Sequence, residues 1–240
     1  MTDLASLSWP QVDRRGPGSV LAVPLGATEQ HGPHLPLGTD TEIAVAIAAL
    51  AAAELDHLVV APPLPFGSSG EHADFPGTLS IGREATELVL VELCRSACAD
   101  FGRVVLVSAH GGNAEPLRAA VARLRDEGRD VLAFSPRWEG DAHAGRTETS
   151  LMLAIEPAWV REARAAAGNA EPLQRLLPAL RAGGVRAVSA NGVLGDPAGA
   201  SAAEGAALLA AAARQLVAVL RGERRGEAPD APAPARGVAR

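Results

Sequence analysis

Three short apolar runs set the architecture. Ser19–Leu25 (SVLAVPL), Leu58–Pro62 (LVVAP) and Arg103–Ser108 (RVVLVS) are rich in β-branched residues, and their interiors show no alternation of apolar with polar side chains. A strand with one wet face would alternate. These runs are therefore expected to be buried on both faces, which is the condition of a parallel sheet covered by helices. Asp130–Ser135 reads as a further strand, and Val185–Ser189 as a short one. Between them lie segments of helical pattern: Asp40–Leu55 with Thr39 or Asp40 as N-cap, Arg83–Asp100, Glu115–Glu127, and Thr147–Ile155, which Pro157 ends. Ser201–Arg221 is an Ala-rich last helix, with Ser201 as N-cap and Glu204 three residues on in the pattern of a capping box. Strands alternating with helices predict an α/β layered fold with a mainly parallel sheet.

The expected organisation is an N-terminal extension over 1–18, a single domain over 19–221, and a Pro/Ala/Arg-rich disordered tail over 222–240. The net charge of −6, with arginines scattered along the chain, argues against nucleic acid as a partner. No uninterrupted apolar run reaches the roughly 18 residues of a membrane span, and Met1–Gln11 lacks a signal-peptide pattern. A cytoplasmic protein without a membrane partner is expected. Cys94 and Cys98, four apart on a predicted helix, read as two thiols rather than a disulfide or metal pair.

Composition narrows the chemistry. All 22 basic residues are arginine and tyrosine is absent, so Schiff-base lysines, phosphate-loop lysines and tyrosine acids or bases are excluded. In open α/β sheets, ligands bind beyond the carboxyl ends of the strands. Five of the six histidines lie in loops near predicted strand ends or helix starts; His57, alone before a strand, is expected at the surface. The first strand runs into Glu29-Gln30-His31-Gly32-Pro33-His34 and then Asp40. In extended backbone, residues i and i+2 share a side, so Glu29 and His31 can face one site. Gly32 and Pro33 turn the chain so that Asp40 can return to it. The Arg103–Ser108 strand delivers His110, followed by Gly111 and Gly112, which permit close backbone approach to a ligand. Asp141–Ser150 adds His143 and Glu148 at a helix start. Each residue has a plain structural reading: Glu29 as a salt-bridging or capping carboxylate, Asp40 as an N-cap, Glu148 as a first-turn partner of the helix dipole. Jointly, such a polar cluster among apolar strands is costly unless paired or metal-bound. Its mixed oxygen and nitrogen donors suit Zn²⁺, Mn²⁺ or Fe²⁺. The long Gly/Pro/Ser-rich segment Pro63–Ile81 is expected to be a functional loop. Its Glu71 and His72 are candidates to line the substrate entrance and its Ser68 and Ser69 to bind substrate backbone, with Gly111 a further substrate-binding candidate. Phe66, Phe75 and Trp138 are candidates for apolar walls.

Three phrases in fixed order, GATEQHGPHLPLGTD (Gly26–Asp40), SAHGGN (Ser108–Asn113) and HAGRTETS (His143–Ser150), resemble the creatininase (creatinine amidohydrolase) family, and the likeness extends over roughly residues 19–220. GEHADFPGTLSIG (Gly70–Gly82), AGNAEPLQRLLPALRAGGVRAVS (Ala167–Ser189) and NGVLGDPAGASAAEG (Asn191–Gly205) resemble the mycofactocin branch of that family. The resemblance implies a three-layer α/β/α sandwich carrying two divalent metal ions, Fe²⁺, Zn²⁺ or Mn²⁺. Glu29, His31, Asp40 and His110 fall on ligand positions, Asp40 on the bridging one. Creatininase itself has a Glu where this chain has Gly112; many relatives use the Glu of the third phrase, here Glu148, which is taken as the fifth ligand. His143 matches a catalytic histidine, expected to protonate the leaving amine. The substrate-contacting Tyr of creatininase is Gly111 here, and losing both Tyr and Glu argues against creatinine as substrate. The branch implies instead the modified mycofactocin precursor peptide, whose C-terminal Val-Tyr has been decarboxylated and crosslinked. Hydrolysis before that Val would release the cyclised dipeptide. Creatinine hydrolysis and deformylation of a formamido-pyrimidine are the alternatives within the family; the latter wants a cationic phosphate cluster, and Arg146 is the one cation inside these motifs. A non-catalytic nucleotide-binding module built on Gly111 and Gly112 is the alternative outside it. The family commonly forms multimers, so a homo-oligomer is expected.

Overall fold

The apolar runs become the sheet. In the computed structural model, residues 2–222 are described. The elements in chain order are β1 (Thr2–Asp3), α1 (Trp9–Asp13), β2 (Val20–Leu25), α2 (Thr39–Glu54), β3 (Leu58–Val60), α3 (Arg83–Ala97), β4 (Arg103–Ser108), α4 (Ala114–Asp126), β5 (Val131–Phe134), α5 (Arg146–Ile155), α6 (Leu173–Gly183) and α7 (Ala202–Leu220). The expected disordered tail lies, from residue 223, outside the described residues.

The sheet order is β1-β3-β2-β4-β5, and every pairing is parallel. Both faces are dry. β2 sends Val20 and Ala22 to a core shared with α2, α5 and α7, and Leu21, Val23 and Leu25 to one shared with α3 and α4. All six β2 residues are buried, which is why the run carries no polar positions. The result is the expected three-layer α/β/α arrangement. The chain leaves β2 toward β3 on one side and β4 toward β5 on the other, so the carboxyl ends of β2 and β4 form the crevice of an open α/β sheet. Their register, from Val20 opposite Arg103 to Leu25 opposite Ser108, brings the two chain exits side by side.

Three elements differ from expectation. Val185–Ser189 is not a strand: Val185–Ala187 forms a 3₁₀ turn after α6, with Gly184 at φ 68° between them. α6 itself was not foreseen; Pro178 interrupts its pattern and Leu176 is its one buried residue. Residues 1–18 do more than extend the domain, because β1 pairs with β3 and Leu4, Leu7 and Val12 pack on the second core. A two-residue strand has too little periodicity to read from sequence. α7 is long and apolar enough by composition to cross a membrane, yet Leu209, Ala212, Ala213, Leu216 and Val217 are buried in this protein, against α2 and α5. Its start follows the predicted cap: Ser201 Oγ accepts the Glu204 N–H at 3.2 Å. The Glu204 carboxylate turns instead to Arg146 and Ser150 of α5. Cys94 and Cys98 are both free thiols, and burial pushes the Cys94 thiol up to about 12.

Candidate metal centre

Four strand exits converge on one buried pocket of polar side chains. The exit of β2 carries Glu29, Gln30, His31 and, at the start of α2, Asp40. The exit of β3 carries Ser68–His72, that of β4 carries His110, and that of β5 carries His143 and, in the first turn of α5, Glu148. Asn113 staples two of these segments, accepting the Ser68 N–H at 2.9 Å and donating to the Gly26 carbonyl at 2.9 Å. Asp141 caps α5 by accepting the N–H groups of Arg146 and Thr147. Gly205 of α7 lets that helix approach closely: a Cβ there would stand 1.8 Å from the Ser150 carbonyl oxygen.

Three of the imidazoles follow one rule. His31 Nδ1–H donates to the Glu29 carbonyl at 3.1 Å, His110 Nε2–H to the Ser68 carbonyl at 2.9 Å, and His143 Nε2–H to the Gln30 carbonyl at 2.8 Å. A backbone carbonyl can only accept, so each bond fixes the tautomer and leaves the other ring nitrogen with a lone pair. Those nitrogens point at carboxylates. His31 Nε2 is 3.3 Å from Asp40 Oδ1, His110 Nδ1 is 3.3 Å from Asp40 Oδ2, and His143 Nδ1 is 3.9 Å from both Glu29 Oε1 and Glu148 Oε2. An imidazole held by one N–H with its second nitrogen free is the arrangement of metal-bound histidine. Both Glu29 carboxylate oxygens and Asp40 Oδ2 are buried without a hydrogen-bond partner among the described residues. An ionised carboxylate in that position needs a cation, so the donor set fits a divalent ion. Glu29, Asp40 and His110 form one group able to hold an ion, His31, Asp40 and Glu148 a second, and Glu29, His31 and His143 a third.

The electrostatics carry the same mark. Burial opposes charge on His31, but Asp40, Glu148 and Glu29 overcome it and raise its pKa to about 10. His110 is likewise raised against its burial by Glu29, Asp40 and Glu71. Burial raises Glu148 to about 7, with Asp40 adding to the rise and His31 opposing it. His143 is held well below its ordinary value by burial and by His31 and His72, and burial lowers His72 to about 4. The buried carboxylates thus favour positive charge at His31 and His110, while burial favours the neutral form of His143.

Other sequence candidates fall at different distances from this centre. Ser69 Oγ lies 3.4 Å from His110 Nε2, and Glu71 Oε1 is 3.8 Å from the same nitrogen. Glu71 is half-buried at the mouth, and burial raises its pKa. A Cβ on Gly111 would meet no atom within 4 Å, so it borders open space, whereas one on Gly112 would stand 2.3 Å from His110 Nε2 and Ser68 O. His72 is buried, with Nε2 3.3 Å from Glu29 Oε1, inside the cluster rather than at an entrance. Phe75 packs on a small core with Leu176, Val185 and Leu194, beneath Arg186. Trp138 packs on the first core, and Phe66 is 44% exposed. His57 is exposed, as expected.

Gln30 was not singled out in the sequence. The alternation that puts Glu29 and His31 on one side puts Gln30 on the other, and the site wraps around both sides of this segment. Its amide reaches His72 and the Gly192 carbonyl. His34 was also passed over: it is buried, and its Nε2 lies 2.9 Å from Thr149 Oγ1, tying the β2 exit to α5. A glutamine between a glutamate and a histidine, just past an apolar strand, was the available signal.

Comparison with known proteins adds to this geometry. The family model for creatininase, creatinine amidohydrolase, matches residues 5–220. A mycofactocin precursor peptide peptidase of Mycolicibacterium smegmatis is 54% identical over 200 residues, covering 80% of this chain and 80% of its own. The protein of the same description from Mycobacterium ulcerans is 49% identical over 212 residues, covering 85% and 81%. Among solved structures, a Zn–Zn type creatininase mutant superposes with a TM-score of 0.76 at 25% identity, covering 95% of this chain and 98% of its own. A manganese creatininase gives 0.75 at 25% identity, covering 95% and 99%.

Proposed function

The chain belongs to the creatininase (creatinine amidohydrolase) family, and from that premise we propose that it is a metal-dependent amide hydrolase that removes the crosslinked C-terminal dipeptide from the modified mycofactocin precursor peptide. The observation that carries the chemistry is the shared rule of His31, His110 and His143: one N–H on a backbone carbonyl, the other nitrogen aimed at buried carboxylates. The relatives at 49–54% identity support the substrate.

Glu29, Asp40 and His110 would hold one divalent ion and His31, Asp40 and Glu148 a second, with Asp40 common to both. Such ions would supply Lewis acidity toward the scissile carbonyl and would lower the pKa of bound water. The chain's own residues do the rest. His143 is neutral, with Nε2–H pinned to the Gln30 carbonyl, so Nδ1 is the atom that takes a proton from the attacking water and returns it to the leaving amine. Glu148 is held in place by the Ala144 N–H at 2.6 Å. To present that donor Ala144 adopts a left-handed φ of 53°, a strain of the kind stored at functional sites. Gly111 leaves open space beside His110 for substrate. Gly112 has no room for a side chain, with Glu71 Oε1 2.5 Å from where its Cβ would stand, so the carboxylate that creatininase carries at this place is absent from this position in the chain, which disfavours creatinine as the substrate.

Incubation of the metal-loaded protein with crosslinked precursor peptide, read by mass spectrometry, tests the reading. Release of the dipeptide is expected. An unchanged peptide mass with metal present overturns the substrate. Less than about half an equivalent of metal per chain, with no activity restored by added Fe²⁺ or Zn²⁺, overturns the hydrolase.

A further inference from the structure

His72 breaks the rule that the other three imidazoles obey. Among the described residues neither of its ring nitrogens meets a backbone carbonyl; instead Nδ1 lies 2.9 Å from Gln30 Nε2. Which of the two nitrogens carries a proton depends on the orientation of the Gln30 amide, and the backbone fixes that orientation. Gly32 N–H, which can only donate, reaches Gln30 Oε1 at 2.8 Å. The Gly192 carbonyl, which can only accept, lies 3.1 Å from Gln30 Nε2. The amide therefore cannot be flipped without two buried clashes of like polarity. One of its N–H protons goes to Gly192. His143 Nε2 also lies 3.1 Å from Gln30 Nε2, but that ring nitrogen already spends its proton on the Gln30 carbonyl and has no lone pair to offer. The second amide proton is left for His72 Nδ1, which must accept it. The His72 proton then sits on Nε2, facing Glu29 Oε1 at 3.3 Å.

The packing around the amide is specific to it. Gln30 is 5% exposed. Gly192, at φ +82°, lies so close that a Cβ would stand 1.9 Å from Gln30 Oε1. The rings of His72 and His143 are 4.5 Å apart, with this one glutamine joined to both.

We propose that Gln30 is a positioning residue that holds His72 as its Nε2–H tautomer, so that this imidazole turns a proton rather than a lone pair toward Glu29 and does not act as a further histidine ligand. Glu29 Oε1 lies 3.3 Å from His72 Nε2 and Glu29 Oε2 3.2 Å from His110 Nε2. The kinetic arm of the test rests on the hydrolase reading; the spectroscopic arm does not.

In zinc-loaded protein labelled with ¹⁵N-histidine, two-bond ¹H–¹⁵N correlation spectra report each tautomer, and His72→Asn identifies the His72 signals. An Nε2–H neutral ring is expected for His72. An Nδ1–H ring, or a zinc-shifted Nε2, overturns the proposal whether or not the protein cleaves any peptide. Gln30→Glu replaces the amide donor with an acceptor and should move the His72 proton to Nδ1. Gln30→Met removes the donor without adding charge and should give a mixture of tautomers. Both variants should lower kcat about 10- to 100-fold, the usual cost of losing an outer partner at a metal site, with KM within about twofold and zinc content unchanged. Equal losses of zinc and activity, or an unchanged kcat, overturn a positioning role. If neither variant folds, the wild-type spectrum still decides.

Discussion

The two groups able to hold an ion that share Asp40 are built on different foundations. Glu29, Asp40 and His110 come from the exits of β2 and β4 and the start of α2, and all three are buried. Their spacing is inherited from the β2–β4 ladder, six residue pairs long. His31, Asp40 and Glu148 draw their last member from α5, a helix held against α7, α2 and one face of the sheet by side-chain packing rather than by a hydrogen-bonded ladder. The Glu148 side chain is 14% exposed. A hydrogen-bonded ladder resists shear at every rung, whereas a helix docked by side chains shifts when its packing shifts. The first group should therefore be rigid and the second adjustable.

The shared residue should show the largest effect. Asp40→Ala should empty both groups and lower activity by well over 100-fold, beyond the roughly 10- to 100-fold typical of an outer partner. Metal analysis that finds one ion retained would mean that the two groups do not share Asp40. His143→Ala should lower kcat by about 10²- to 10⁴-fold, the range of a lost acid–base group, with both ions retained. Loss of an ion would instead assign His143 to the group it forms with Glu29 and His31.

Gly205→Ala isolates the second group. The added methyl has no space against the Ser150 carbonyl, so it should push α5 away and cost about 1–3 kcal/mol by urea unfolding. Metal titration should then show one site weakened and one unchanged. Equal weakening would show that the ladder and the helix do not act separately.

The smallest effect is one of pH. With metal removed, His31 has a folded pKa of about 10 against an ordinary 6.5. Burial works against this rise and Asp40 and Glu148 produce it. A raised folded pKa stabilises fully below the unfolded value and is lost as pH climbs through the folded one. The chelated protein should lose thermal stability between about pH 6.5 and 10, and the loaded protein, whose His31 needs no proton, should lose less. Parallel curves would show that His31 does not trade its proton for metal.

How far the sequence could be read differs between these regions for the same reason. The strands were legible because each run is buried on both faces and carries no polar residue in its interior. β1 and α6 were not, since two residues have no period and a proline-interrupted, mostly exposed helix has little apolar pattern. In the centre, Glu29, His31, Asp40, His110, His143 and Glu148 were legible as a chemical set because such polar groups sit where strand ends must meet. Gln30 and His34 were not, because an amide or a lone histidine gains a role only from what lies across from it.

The sequence by itself determined that the sheet is parallel, covered on both faces, and ends in histidines and carboxylates. These are properties of residue type and spacing along the chain. For His31 the fixing carbonyl is its own neighbour Glu29, two residues away, but only the tertiary structure decided which nitrogen of His72, His110 and His143 is free. Local sequence brings these histidines to the site, and their tautomers are set by the amide or carbonyl that long-range packing places against the ring. For His110 that partner is 42 residues away in sequence, and for His143 it is 113.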